Sequence, residues 1–192
     1  MWYVVDGMDG SGKSSVAEYL AEELRARGRK VLILGHPNRD TFIGQKEADY
    51  LLKEGKFAKI MATMFYIMDV THSIRVKKKN DRTAEYDDII FVRYIMAVTY
   101  VPESLSKIAY NFFALVFPEP DMKLLVDVDG PTAMARITSR GEALESFETE
   151  EQLTAIRAKM MNFTYDRWTV IDNNGTLEES KVQVVGILGD KN

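Results

Sequence analysis

Short apolar runs alternate with amphipathic stretches along this chain. Trp2 to Asp6 is a β-branched and aromatic run that stops at Gly7, the pattern of a buried strand. From Ser14 to Arg27, the residues Val16, Ala17, Leu20 and Leu24 recur at helical spacing among Glu and Arg, and Gly28 is a natural C-terminal stop. Val31 to Leu34 predicts a second strand, closed by Gly35-His36-Pro37. Thr41 to Lys53 and Lys56 to Arg75 predict helices divided at Gly55. Asp88 to Val92 predicts a third strand, and Arg93 to about Ala114 a mixed segment, helical on both sides of Pro102. Met122 to Val128 predicts a fourth strand. A helix follows from Pro131 to Ser139, opening on a proline at an early helical position. Glu150 to Asn162 predicts a further helix, Trp168 to Ile171 a fifth strand and Thr176 to Leu188 a closing helix.

Strands that are apolar on both faces and separated by helices cannot sit at a wet surface. The pattern predicts an α/β fold, a parallel five-stranded sheet with helices on both faces. The length of 192 residues favours one domain. A hydrophobic fraction of 46% supports a real core and argues against disorder. Lys plus Arg is 25 and Asp plus Glu 29, a net charge of −4, which excludes a broadly basic nucleic-acid binder but not a local phosphate pocket. There is no cysteine, so disulfides, thiolate nucleophiles and Cys-ligated metals are excluded, and two histidines make a His-rich metal site implausible. No stretch approaches about 18 uninterrupted apolar residues, and the N-terminus lacks the basic and apolar regions of a secretory signal, so a soluble cytoplasmic protein with no membrane partner is expected. The cationic run Arg75 to Lys79 is expected to be a solvated helix end, with a nucleic-acid patch as the minority reading.

The chemistry begins at Gly7-Met8-Asp9-Gly10-Ser11-Gly12-Lys13-Ser14, which fits G-x-x-x-x-G-K-[ST] between a predicted strand and a predicted helix. Such a loop turns successive N–H groups into one cavity, the helix N-terminus adds partial positive charge, the lysine reaches the β- and γ-phosphates, and the serine hydroxyl suits Mg²⁺. A nucleoside triphosphate is therefore expected on Gly7 to Ser15, with Lys13 catalytic and Ser14 toward the metal. The loop alone does not separate a kinase from a GTPase. A GTPase needs an Asn-Lys-x-Asp segment, which is absent, and a strand-end Asp, for which Asp127 and Asp129 are weak candidates.

Beyond the loop, the chain resembles the thymidylate kinases, P-loop NTPase-type enzymes that phosphorylate nucleoside monophosphates. The likeness is carried by Asp6 to Ser15, His36-Pro37-Asn38-Arg39-Asp40-Thr41-Phe42-Ile43-Gly44, Val92-Arg93-Tyr94, Phe117 to Asp121, Arg136 to Glu142, and Trp168 to Gly175, in family order. The resemblance implies one nucleoside monophosphate kinase domain over residues 1–192 with a short lid at about 138–148. ATP and Mg²⁺ would serve dTMP phosphorylation in a homodimer. It implies that Asp9, Arg39 and Arg93 bind the acceptor nucleotide, that Phe65 stacks on its base, and that Arg136 and Arg140 act from the lid. Arginine offers phosphate a planar bidentate fork, and Arg39 and Arg93 each follow a strand, at the edge where such sheets bind ligands.

The chain also departs from the family. Val92 replaces a carboxylate that helps organise Mg²⁺ and the acceptor phosphate, with Asp6 and Asp9 as the alternatives to substitute for it. Asp69 stands where the family places a base-reading arginine, unless the register slips one turn and Arg75 makes that contact. Ser146 replaces a lid arginine. An ionised carboxylate cannot donate to a thymine carbonyl. The expected acceptor is dTMP, with a different (deoxy)nucleotide or a weakly active nucleotide sensor as alternatives.

Overall fold

The structure, a computed structural model, describes residues 1–53, 55–101, 103–141 and 148–189. Five strands pair in parallel: β1 Trp2–Asp6, β2 Val31–Gly35, β3 Asp88–Val92, β4 Met122–Asp127 and β5 Trp168–Asp172. Their order is β2-β3-β1-β4-β5. Val5 lies opposite Val92 on one side and Leu124 on the other, so β1, β3 and β4 end at one edge. The chain first winds toward β2 and β3 and then crosses β1 to reach β4. The winding therefore reverses at β1, and a crevice opens beyond the carboxyl ends of the strands.

Side chains alternate across the sheet, and both faces are covered. On one face Tyr3, Val5, Ile90, Leu124 and Ile171 pack with Val16 and Leu20 of α1 Lys13–Ala26 and with Val184 and Leu188 of α7 Leu177–Gly189. On the other, Val4, Phe91 and Leu125 meet helices numbered in chain order. These are α3 Lys56–Thr83 through Val70, α4 Glu103–Val116 through Tyr110, α5 Gly130–Ser139 through Ile137, and α6 Glu150–Met161 through Leu153 and Ile156. Burial of each such side chain stabilises the fold by about 1.5–3 kcal/mol. The remaining helix, α2 Phe42–Leu51, packs on α3.

Among the described residues four helices start on a side-chain cap. Thr41 accepts from Gly44 N–H at 3.0 Å, Asp129 from Thr132 N–H at 2.7 Å, Thr149 from Gln152 N–H at 3.3 Å, and Thr176, before α7, from Glu179 N–H at 3.3 Å. Helix α1 has no such cap and no acidic residue in its first turn.

The observed strands agree with the sequence pattern to within one residue at either end. Helix α3 does not: it runs two turns past Arg75, to a left-handed residue at Ala84 (φ +50°). Its apolar stripe fades because this end projects into solvent, and the cationic run is held in the helix by pairs such as Lys77 with Asp81 at 2.9 Å. Between β3 and α4 a 3-10 turn, Ile95–Tyr100, replaces the first expected helix. Among the described residues no helix is long and apolar enough to cross a membrane. Residues 142–147, most of the expected lid and including Ser146, lie outside the described residues.

Candidate active site

The turn from β1 into α1 wraps one end of a cavity of about 790 Å³ at the carboxyl edge of the sheet. Gly12 ends the turn at φ +85°, the left-handed region that favours glycine, and a Cβ there would come within 2.4 Å of Asn173 Nδ2. With no cap, the first N–H groups of α1 keep their donors and the positive end of the helix dipole for an anion. Ser14 and Ser15 are exposed on the cavity wall beside them.

Asp9 gathers the cations at the centre. Its Oδ1 accepts from Lys13 Nζ at 3.3 Å and from Arg93, and its Oδ2 accepts from the Tyr100 hydroxyl at 2.6 Å. Burial pushes the Asp9 carboxyl up, but Arg93, Lys13 and Tyr100 together outweigh it and hold the group well below the usual carboxylate range. Lys13 also donates to Met8 O at 3.1 Å; burial pulls its ammonium pKa down, and Asp9 works against that. Asp6 has a different role. It is fully buried and accepts from Gly7 N–H (3.1 Å), Tyr94 N–H (2.8 Å) and Met96 N–H (3.1 Å), which ties the phosphate turn to the segment after β3. Of the two carboxylates that could stand in for the residue lost at Val92, Asp9 is the one that touches Arg93 on the cavity wall.

Arg39, Arg93 and Arg140 all line this cavity with Lys13, and Arg39 and Arg140 are exposed to it. Arg136 sits at the edge: its guanidinium donates to Asn173 O at 2.9 Å and lies 3.9 Å from the Cβ position of Gly12. Glu148, buried, closes part of the same wall.

Two expected acceptor residues are not brought to the cavity. Phe65 is half-buried and stacks on Tyr50 of α2, with ring centroids 5.7 Å apart. Asp69 is fully buried, and its Oδ2 accepts from Asn38 N–H at 2.7 Å, so it fixes the loop before Arg39 rather than facing a base. Arg75, the alternative six residues further along α3, is exposed and does not line the cavity. Asp127 is held by Arg157 through two bonds of 2.7 Å and Asp129 caps α5, so neither is available in the manner of a GTPase strand-end carboxylate.

The sequence reading missed Asn173 and Tyr100. Asn173 is buried; its Nδ2 donates to Ser11 O at 2.6 Å and its Oδ1 accepts from Ser180 at 2.6 Å, which pins the turn after β5 to the phosphate loop. Its signal in the sequence was the Asn-Asn-Gly turn closing the last strand; Tyr100 had none beyond its place near Arg93.

The arrangement groups Lys13 and Arg93 on Asp9 beside the free helix N–H groups of α1, with Arg39 and Arg140 lining the same cavity, suited to two phosphate-bearing ligands meeting there. Comparison with known proteins agrees with this. A probable thymidylate kinase of Archaeoglobus fulgidus is 27% identical over 186 residues, covering 96% of this chain and 92% of the relative. A thymidylate kinase of Xanthomonas euvesicatoria is 28% identical over 208 residues, covering 97% and 84%. The solved structure of Candida albicans thymidylate kinase shares the fold, with a TM-score of 0.70 at 19% identity over 98% of this chain and 91% of that one. A family model for thymidylate kinase matches residues 5–184, nearly the whole length, and the chain belongs to that family.

Proposed function

We propose that this protein transfers the γ-phosphoryl group of ATP to dTMP, giving dTDP and ADP, and that the whole chain works as one nucleoside monophosphate kinase domain. The observation that carries the reading is the shared cavity, lined by Lys13 and the uncapped start of α1 together with Arg39 and Arg93. Residues Gly7 to Ser15 wrap the ATP phosphates, and Lys13 neutralises the migrating group. Arg39 and Arg93 hold the acceptor phosphate for direct in-line attack, with no covalent intermediate on the protein. Arg136 and Arg140 add charge from the side of the cavity next to the phosphate loop.

Mg²⁺ fits this site with few protein ligands. Ser14 is exposed on the cavity wall, and among the described residues no three His, Asp or Glu side chains converge as a metal cluster. Ser14 would hold the ion together with triphosphate oxygens, and when bound the ion neutralises phosphate charge. A different acceptor base is not favoured: Asp69, one motive for it, is buried away from the cavity. A silent nucleotide sensor is likewise not favoured, because Asp9 supplies a carboxylate against Arg93 where Val92 does not.

Exposed apolar stripes on α3 (Phe57, Ile60, Met64, Met68) and α4 (Leu105, Ile108, Phe112, Leu115) lie on helices that cover the same face of the sheet. We assign them to pairing with a second copy of the chain. Met61 and Phe65, on the same helix α3, are half-buried. The activity is assigned to the cytoplasm, where ATP is supplied. The test of the function is product analysis: with ATP, Mg²⁺ and dTMP, dTDP and ADP should form one for one, and Lys13→Ala should lower kcat by about 10³-fold or more. A variant with near-native turnover would show that the phosphate loop is misassigned.

A further inference from the structure

Three elements meet at the carbonyl of Arg93. This residue has φ +71°, a left-handed conformation that a long side chain keeps only where its surroundings fix it. Its N–H donates to Val5 O at 3.0 Å, and the next N–H, of Tyr94, donates to Asp6 Oδ2 at 2.8 Å. Its carbonyl oxygen lies 2.7 Å from Nδ1 of His36. A carbonyl can only accept, so Nδ1 carries the proton and donates. The neutral ring then presents a lone pair at Nε2, which lies 2.8 Å from Ser73 Oγ on α3, and the serine hydroxyl donates to it. The imidazole is buried at 5% exposure, and burial pulls its pKa below the ordinary histidine value, consistent with the neutral ring.

Helix α3 holds this region at a second point. Ser73 follows Asp69 by four residues, so both lie on one helix face. Asp69 grips Asn38 N–H, one residue before Arg39, while Ser73 seats His36, whose ring holds Arg93. The same face of one helix thus fixes the backbone at both strand-end arginines.

We propose that His36 is a positioning residue for the acceptor phosphate: seated on Ser73, its ring holds the Arg93 carbonyl so that the guanidinium points into the cavity in step with Arg39. The inference rests on the assignment of Arg39 and Arg93 to the monophosphate. A misplacement of about 1 Å at such a site is enough to cost as much as 10²-fold in rate.

The test uses the full-length protein. His36→Phe keeps an aromatic ring against Tyr66 and Phe91, its edge-on neighbours, but cannot donate to the carbonyl. The expected result is a KM for dTMP raised by about 10-fold or more, the loss of roughly one hydrogen bond, with the KM for ATP within about 2-fold. His36→Asn, which returns an N–H near the Nδ1 position, should recover most of the loss. The chain has only two histidines, so imidazole ¹H–¹⁵N spectra are simple to assign. His36 should show the Nδ1–H tautomer, and Ser73→Ala should shift its Nε2 resonance and raise the KM for dTMP. If His36→Phe does not fold, Ser73→Ala and the tautomer carry the test. An Nε2–H tautomer, or unchanged KM for dTMP in the folded variants of an active wild type, overturns the inference alone. A wild type that phosphorylates no monophosphate overturns the functional reading, and this inference with it.

Discussion

Asn173→Ala should loosen the phosphate loop from a distance of 162 residues in sequence. The amide donates to Ser11 O at 2.6 Å and accepts from Ser180 Oγ at 2.6 Å, and the residue is 5% exposed. Each such bond is worth about 1–1.5 kcal/mol net, so the two together contribute about 2–3 kcal/mol. For a domain of this size each kcal/mol moves the melting temperature by about 2–4 °C, which gives a fall of about 4–12 °C. The amide also packs where a Cβ on Gly12 would sit, so its loss leaves space beside the last residue of the turn. The loop should then bind triphosphate less well, with the KM for ATP up about 10-fold, equivalent to roughly one of the two bonds, and the KM for dTMP little changed. Differential scanning calorimetry and initial-rate kinetics read the two effects. Asn174→Ala is the control: that residue is exposed and, among the described residues, bonds to Asp172 and Asp129, so its effect should stay below about 1 kcal/mol. Asn173→Ala with an unchanged melting temperature and an unchanged KM for ATP would refute the link between the turn after β5 and the phosphate loop.

Gly44→Ala should disturb the loop before Arg39: a Cβ there would lie 2.1 Å from the backbone O of Asn38, so stability should fall by about 1–3 kcal/mol in urea melts and the KM for dTMP should rise more than that for ATP. Asp9 has a depressed pKa in the folded protein, so its contribution is fully present above the unfolded carboxylate value of about 4 and is lost progressively as pH falls from there toward the lower folded value. Urea melts between pH 3 and about 7 should show a steeper acid loss for the wild type than for Asp9→Asn, and parallel curves would contradict the pairing with Arg93 and Lys13. Sedimentation velocity should find a dimer, and Phe112→Glu with Leu115→Glu should give a folded monomer; an unchanged dimer would place the interface elsewhere.

The sheet was legible because each strand is a short apolar run between breakers, and the phosphate loop because glycines, lysine and serine at fixed spacing dictate a backbone shape. The acceptor side was less so. Arg93 directly follows β3 and Arg39 lies four residues past β2, and both reach the cavity. Phe65 and Asp69 sit inside a helix, where a shift of one residue turns a side chain by about 100° and decides what it meets. Helix α3 turns Phe65 toward Tyr50 and Asp69 toward Asn38. His36, Asp6 and Asn173 each reach a partner 57 to 162 residues away, and no local pattern encodes such contacts. The two extra turns of α3 were hidden for a related reason: a solvated helix end has no apolar stripe to reveal it.

The central claim, phosphoryl transfer to dTMP, is tested most directly by measuring kcat/KM for dTMP, dGMP, dCMP and dAMP side by side, at saturating ATP and Mg²⁺. The predicted result is a preference for dTMP of about 10-fold or more over each competitor. Equal or higher kcat/KM for dGMP or dCMP, or no turnover of dTMP, would contradict it.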